Sequence, residues 1–175
     1  LMSRRRRTTP DQRLALLRQR LQDMSPKAIT AELRSALRDE SNFVVEQIAK
    51  IVREHTLSEL IPDLVSSYDR FLKDGAECDK GCRAKLAIVE ALLPLDFEEP
   101  EFWLAGMRYR QQEPVWGGSI DTAIDLRGVC AFGLVRSRLI APSDLLIALT
   151  DLLADSEFVA RTHAARAIAA AGLPG

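Results

Sequence analysis

Apolar residues recur three and four positions apart along nearly the whole chain, and no segment sustains the strict alternation of a half-buried strand. Leu14, Leu17 and Leu21 mark a first helix over about 11–22, with Thr9 placed as its N-cap and Pro10 at the first helical position. The pattern restarts after Ser25-Pro26 with Ile29, Leu33 and Ala36-Leu37. It does so again after Ser41-Asn42 with Val44, Val45, Ile48, Ile51 and Val52. A segment opened by Thr56 or Ser58 carries Leu60, Leu64, Tyr68 and Phe71 and ends at Asp74-Gly75. The stretch 80–93 places Cys82, Leu86, Val89 and Leu93 on one face, and Pro94 stops it because proline cannot continue the hydrogen-bond ladder. Helices are further predicted over about 100–110, 120–135, 143–153 and 157–171, the last stopped by Gly172, with "QQEPVWGGS" as a loop. The result is about nine helices joined by short polar or Gly/Pro linkers.

A second period overlies the helical one. Arg83, Arg127 and Arg161 each follow an acidic residue by six positions, namely Glu77, Asp121 and Asp155. Each arginine leads into a helix of small and aliphatic residues: "RAKLAIVEALLPL", "RGVCAFGLV" and "RTHAARAIAAAG". "DESNFVVEQIAKIV" fits the same frame from Asp39, with Val45 in place of the arginine. Positions 45, 83, 127 and 161 lie 38, 44 and 34 residues apart, the irregular spacing of stacked two-helix units.

"DSEFVARTHAARAIA" and "DTAIDLRGVCAFGL" resemble the second helix of a HEAT repeat, which opens with Asp…Val-Arg and continues "xxAAxAL". In the latter copy Leu126 takes the valine position, and a glycine and a cysteine replace small alanines. The copy at 83 matches less well and the copy at 45 least. The resemblance spans about 26–172. It implies an all-α fold, a right-handed α-solenoid of about four HEAT-like hairpins plus an N-terminal helix. For function it implies a protein–protein interaction scaffold or adaptor with no catalysis of its own. Two alternatives stay open: a HEAT-like bilin lyase-type or enzyme-associated subunit, and a nucleic-acid-binding helical-repeat protein.

The repeated pair has a physical sense of its own. An acidic residue at a helix N-terminus offsets the dipole and accepts from free N–H groups. An arginine one turn in can bond an acidic residue or a carbonyl of the adjoining hairpin. Glu77, Arg83, Asp121, Arg127, Asp155 and Arg161 are therefore expected to form a structural ladder between units. Fully exposed rungs contribute ~0–1 kcal/mol each, so partial burial is expected. The alanine-rich last helix lacks the polar face of a solenoid cap. Either a second copy covers it, giving self-association through the C-terminal helix, or the natural chain continues.

Composition narrows the setting. The 175 residues are 47% hydrophobic and 28% charged, with no apolar run near the ~20 residues of a membrane span. Three cysteines make an odd set, read as reduced thiols in a cytoplasmic protein. Met2 is read as the natural start, and no apolar segment follows the basic run to make a secretory signal. The net charge of −1 hides an asymmetry: residues 1–38 carry ten Lys and Arg against three Asp and Glu, and the remainder is acidic. A basic end and an acidic body can attract each other within a molecule or between copies. The chain divides into a basic tail over 1–9, with Arg4–Arg7 able to meet phosphates, and one domain over 10–175. Acidic helices after residue 38 argue against nucleic acid as a partner.

Catalytic signatures are absent: the chain has no nucleophile elbow, phosphate loop, dinucleotide fingerprint or His-Glu-x-x-His. His55 sits at a helix end and His163 within the alanine-rich helix, both read as structural or surface residues. Cys78 and Cys82 in "ECDKGC" lack a matching second pair, so packing is expected rather than metal. Asp96, Glu98, Glu99 and Glu101 precede or open a helix, where acidic residues belong. No catalytic, cofactor-binding or metal-binding residue is assigned. The least generic feature is "EPVWGGSI", whose Trp116, Gly117 and Gly118 are assigned to binding a protein partner. The competing reading has Trp116 folding back to plug a gap between hairpins while the glycines turn the chain.

Overall fold

The computed structural model describes residues 8–22 and 24–172, so the Arg4–Arg7 run lies outside the described residues. Helix α1 (Pro10–Leu21) starts in a reciprocal cap: Thr9 Oγ1 accepts from the Gln12 amide, and Gln12 Oε1 accepts from the Thr9 amide. Helices α2 (Pro26–Ala36) and α3 (Asn42–Glu54) follow where the apolar pattern restarts. The fourth segment opens as a short 3-10 turn, Ser58–Leu60, before α4 (Ile61–Lys73). One turn of helix, α5 (Gly75–Cys78), leads through a 3-10 turn at Lys80–Cys82 into α6 (Arg83–Leu92). Then come α7 (Pro100–Arg108), strands β1 (Gln112–Val115) and β2 (Gly118–Asp121), α8 (Ile124–Arg136), α9 (Pro142–Leu153) and α10 (Phe158–Ala171). The protein is mostly helical, with ten α-helices among the described residues.

The helices pack in two interleaved sets. Helix α3 packs against α6, α6 against α8, and α8 against α10, forming a continuous row. Helix α2 flanks α3, α4 flanks α6, α7 flanks α8, and α9 flanks α10, while α1 also lies on α3. The apolar stripes meet between these sets: Val45, Ile48, Ile88, Leu92, Leu126 and Leu134 are wholly buried. An aromatic group fills the space around the α7 N-terminus. Phe97, Phe102 and Trp103 meet edge-on, Tyr68 lies 4.8 Å from Phe102, and the Trp103 indole N–H donates to the Phe97 carbonyl.

Small residues set the closest approaches. A side chain at Gly133 would meet the Trp103 ring at 2.5 Å, and one at Gly128 would meet His163 at the same distance. Ala131, Ala164 and Ala167 are buried as helix contacts, whereas Ala165 is exposed.

Two predicted boundaries shift. The segment expected as a plain loop is an antiparallel hairpin, pairing Gln112 with Asp121 and Val115 with Gly118. It shows no two-residue apolar period because neither face is buried; of the eight strand residues only Asp121 is buried. Helix α8 accordingly starts at Ile124 rather than near 120, with Asp121 ahead of it.

Candidate functional site

The hairpin between α7 and α8 stands on a buried polar base. Asp121 closes β2, and its Oδ1 accepts from the Gln111 and Ala123 amides, tying both ends of the hairpin to one carboxylate. Its Oδ2 receives Arg127 Nη1 at 2.6 Å. Arg127 is wholly buried, and the same Nη1 donates to the Tyr109 carbonyl at 3.2 Å. Its Nη2 donates to Asp155 Oδ1 at 3.1 Å, and Nε lies 3.0 Å from Asp155 Oδ2. Arg110, half-exposed above this group, donates to Asp155 Oδ2 at 2.6 Å. Two guanidinium groups and two carboxylates therefore share one site, with Arg127 at its centre.

Glu113 makes a second knot. Its Oε1 accepts from the Gly81 amide, the Gln111 amide nitrogen Nε2 and the Thr122 hydroxyl, each at 2.7 Å. Gln111 Nε2 also donates to the Asp79 carbonyl at 2.8 Å. The hairpin is thus tied both to the linker before α6 and to the linker before α10. Two strands alone are marginally stable in water, and these bonds replace the buried face the hairpin lacks.

Both carboxylates at the base are held ionised. Burial pushes the Asp121 carboxyl up, but bonds from the Ala123 and Gln111 amides and from Arg127 outweigh it and hold it below the ordinary carboxylate range. Burial likewise raises Glu113, and the bonds from Gln111, Thr122 and Gly81 bring it net downward.

The predicted ladder is realised at some positions and in another register at others. Asp121 and Arg127 pair as spaced, and Asp155 joins them from the next unit. Arg161 does not meet the Asp155 carboxylate; its Nη1 donates to the Asp155 and Ser156 carbonyls at 2.8 Å. Glu77 and Arg83 do not pair. Glu77 is exposed on the one-turn helix α5, and Arg83 reaches Glu46 on α3 at 2.7 Å. The buried pair of that unit lies two residues later, with the same spacing of six: Asp79 and Lys85, both wholly buried, with Nζ 3.0 Å from Oδ2. Asp79 also accepts from the Ala84 and Lys85 amides and from Asn42 Nδ2, and Lys85 donates to the Phe71 carbonyl. The sequence carries both spacings in "ECDKGCRAK", with Arg83 and Lys85 two residues apart, and burial selects the lysine. Asp39 keeps the frame by accepting from the Ser41 amide and pairing with Arg13 on α1.

At the hairpin tip, Trp116 and Gly117 are the two turn residues, and Gly117 has φ of +87°, which suits glycine at the second central position. Trp116 is fully exposed at 102% of its reference area, so it plugs no gap. Val115 and Ile120 are also exposed. Pairing of Val115 with Gly118 and of Glu113 with Ile120 puts both apolar side chains on one face. Gly117 and Gly118 have no atoms near a would-be side chain, so both border open space.

The remaining candidates are structural in their contacts. Cys82 and Cys130 are buried, Cys78 is half-buried, and all three are free thiols. Burial pushes the Cys82 thiol up to about 12 and raises Cys130 as well, away from the thiolate form that nucleophilic chemistry requires. His55 ends α3, and His163 packs on Gly128 with Nε2 3.5 Å from Asp125. Glu98 pairs with Arg138. Among the described residues, no cluster of three or more His, Cys, Asp or Glu is placed to hold a metal ion, and no helix is long and apolar enough to cross a membrane. No family model, curated protein or solved structure matches the chain.

Proposed function

We propose that this protein is a protein–protein interaction module, a scaffold or adaptor built as a right-handed α-solenoid of HEAT-like hairpins. The pairs α2–α3, α4–α6, α7–α8 and α9–α10 are its four units, and α1 precedes them. The observation that carries the reading is the fully exposed Trp116 on a hairpin whose base is clamped by Asp121, Arg127 and Glu113. A large apolar side chain held out on a rigid support is placed for a partner's pocket, because little conformational freedom is lost when it docks. Val115 and Ile120 widen the same apolar surface. Three free thiols, two of them buried, fit a cytoplasmic setting.

Affinity capture with wild type and Trp116→Ala tests the reading. A partner held by wild type is expected to bind the variant at least about 30-fold more weakly, as for a hot-spot aromatic worth about 2 kcal/mol. Trp103 is buried and Trp116 exposed, so indole emission should shift to shorter wavelength on binding in wild type and not in the variant. Equal retention of the partner by both chains would overturn the assignment of Trp116.

A further inference from the structure

The two regions at opposite ends of the row α3–α6–α8–α10 carry complementary surfaces that no other described element covers. The first is a groove of about 890 Å³ between α1, α2 and the end of α3. Its floor is apolar and only partly covered, formed by Leu21, Ile29, Ile51 and Leu57. Its rim is basic: Arg18, Lys27 and Arg34 stand against Glu59 alone among the described lining carboxylates. Asp63 already holds Arg34, and among the described residues Arg18 reaches Gln47, at 3.4 Å.

The second surface is the outer face of α9. Leu145, Ala148, Leu149 and Leu152 face inward and are buried. Leu146 and Leu153 on one flank of that stripe and Ile147 (61%) on the outer side are exposed. Asp144 and Asp151, two turns apart, run along one edge of that face, and "PSDLLIALTDLL" contains no basic residue. Helix α9 is thus an acidic amphipathic helix with its second apolar face uncovered, the ligand shape that an apolar, basic-rimmed groove accepts.

Within one molecule the two surfaces are separated by the packed series α3, α6, α8 and α10, so neither can cover the other. We infer that the groove receives α9 of a second copy of this chain. Leu146, Ile147 and Leu153 enter the groove floor, and Asp144 and Asp151 meet Arg18 and Lys27. Because the two surfaces sit at opposite ends of the row, the contact is head-to-tail and leaves one groove and one α9 face open at the ends. Association then continues into a ring or an open string rather than stopping at a symmetric dimer. The basic first 38 residues and acidic remainder favour the same polarity at longer range. The inference is independent of the Trp116 hairpin.

Sedimentation velocity over a concentration series tests it. The weight-average mass should rise with concentration past the dimer. It should fall back as salt goes from 0.1 M to 1 M, where the Debye length shrinks from about 10 Å to about 3 Å. Arg18→Glu/Lys27→Glu and Asp144→Lys/Asp151→Lys should each weaken association at least about tenfold. An equimolar mixture of the two variants should associate again, since each reversed surface meets its complement. All four residues are exposed, so thermal midpoints should match wild type. If either double variant unfolds earlier, the glutamine and asparagine versions replace it, with the same loss of association expected. Trp116→Ala should leave the mass unchanged, which separates failure of this inference from failure of the partner reading. A monomeric mass up to about 1 mM, or association unchanged in both double variants, overturns it. So does saturable binding of anilinonaphthalene sulfonate to a chain that stays monomeric, lost in Arg18→Glu/Lys27→Glu. That result would give the groove to a small anion instead.

Discussion

Asp121 and Arg127 meet at 2.6 Å inside the protein, six residues apart, with Arg127 wholly buried and Asp155 of the following unit against its other edge. One guanidinium therefore joins the foot of the hairpin to the linker that starts the last helix. Arginine's planar fork reaches two carboxylates at once, which a point charge cannot.

Removing that fork should be costly. Arg127→Ala leaves Asp121 and Asp155 to share the half-exposed Arg110, whose Nε lies 3.9 Å from Asp121, so urea unfolding should show a loss of about 3–5 kcal/mol. Arg127→Lys should recover only part of it. A loss below ~1 kcal/mol would mean that water or Arg110 replaces the buried pair.

The same logic separates the buried acidic–basic pair before α6 from its neighbour in sequence. Lys85→Ala strands the wholly buried Asp79 and should destabilise by about 3–5 kcal/mol. Glu77→Ala removes an exposed carboxylate and should stay within about 0.5 kcal/mol. Arg83→Ala breaks a half-exposed pair with Glu46 and should cost no more than ~1 kcal/mol. Parallel denaturant curves for the three variants decide the register.

Acid should loosen the hairpin base first. The folded-state pKa values of Asp121 and Glu113 lie below their ordinary values of 3.8 and 4.5. Depressed carboxylates contribute stability that is complete above the unfolded values and lost as pH falls through the folded ones. Wild type should therefore lose stability as pH drops from about 5 toward 3, by the ordinary linkage of paired carboxylates. Asp121→Asn should be less stable at neutral pH and show a shallower acid slope. Identical slopes in the two chains would exclude Asp121 as a source of the pH dependence.

Gly133 and Gly128 set the approach of α7 and α10 to α8. Alanine at 133 would place its methyl 2.5 Å from the Trp103 ring, which the surrounding aromatics hold in place. Overpacking of that kind costs typically 1–3 kcal/mol, and near-ultraviolet circular dichroism of Trp103 should change with it. Alanine at 128 would lie 2.5 Å from the His163 ring and 2.9 Å from its Cβ, which no ring rotation moves, so α10 must shift and a comparable cost is expected. Equal thermal midpoints for Gly133→Ala and wild type would show that α7 can shift freely.

What could be read without coordinates were the features written locally. Leu14, Leu17 and the Thr9 cap define α1 because helix periodicity and capping depend on residues within one or two turns. The Asp121 and Arg127 spacing was legible for the same reason, since both flank one helix start. The hairpin was not, because Gln112 to Asp121 buries almost nothing and so writes no apolar alternation. Its strands exist through bonds to Gly81 and Asp79, some thirty residues away. The Asp79–Lys85 rung was hidden by a nearer arginine of the expected type, and only burial distinguishes the two cations.

The chain by itself therefore determined a helical protein with a recurring acidic-to-basic spacing, because those properties follow from short-range geometry. Tertiary structure alone decided which of the charges go inside, that Trp116 stands in solvent, and that an apolar groove faces a basic rim. Each of those depends on which distant segments displace water from a side chain, and burial of that kind has no local signature.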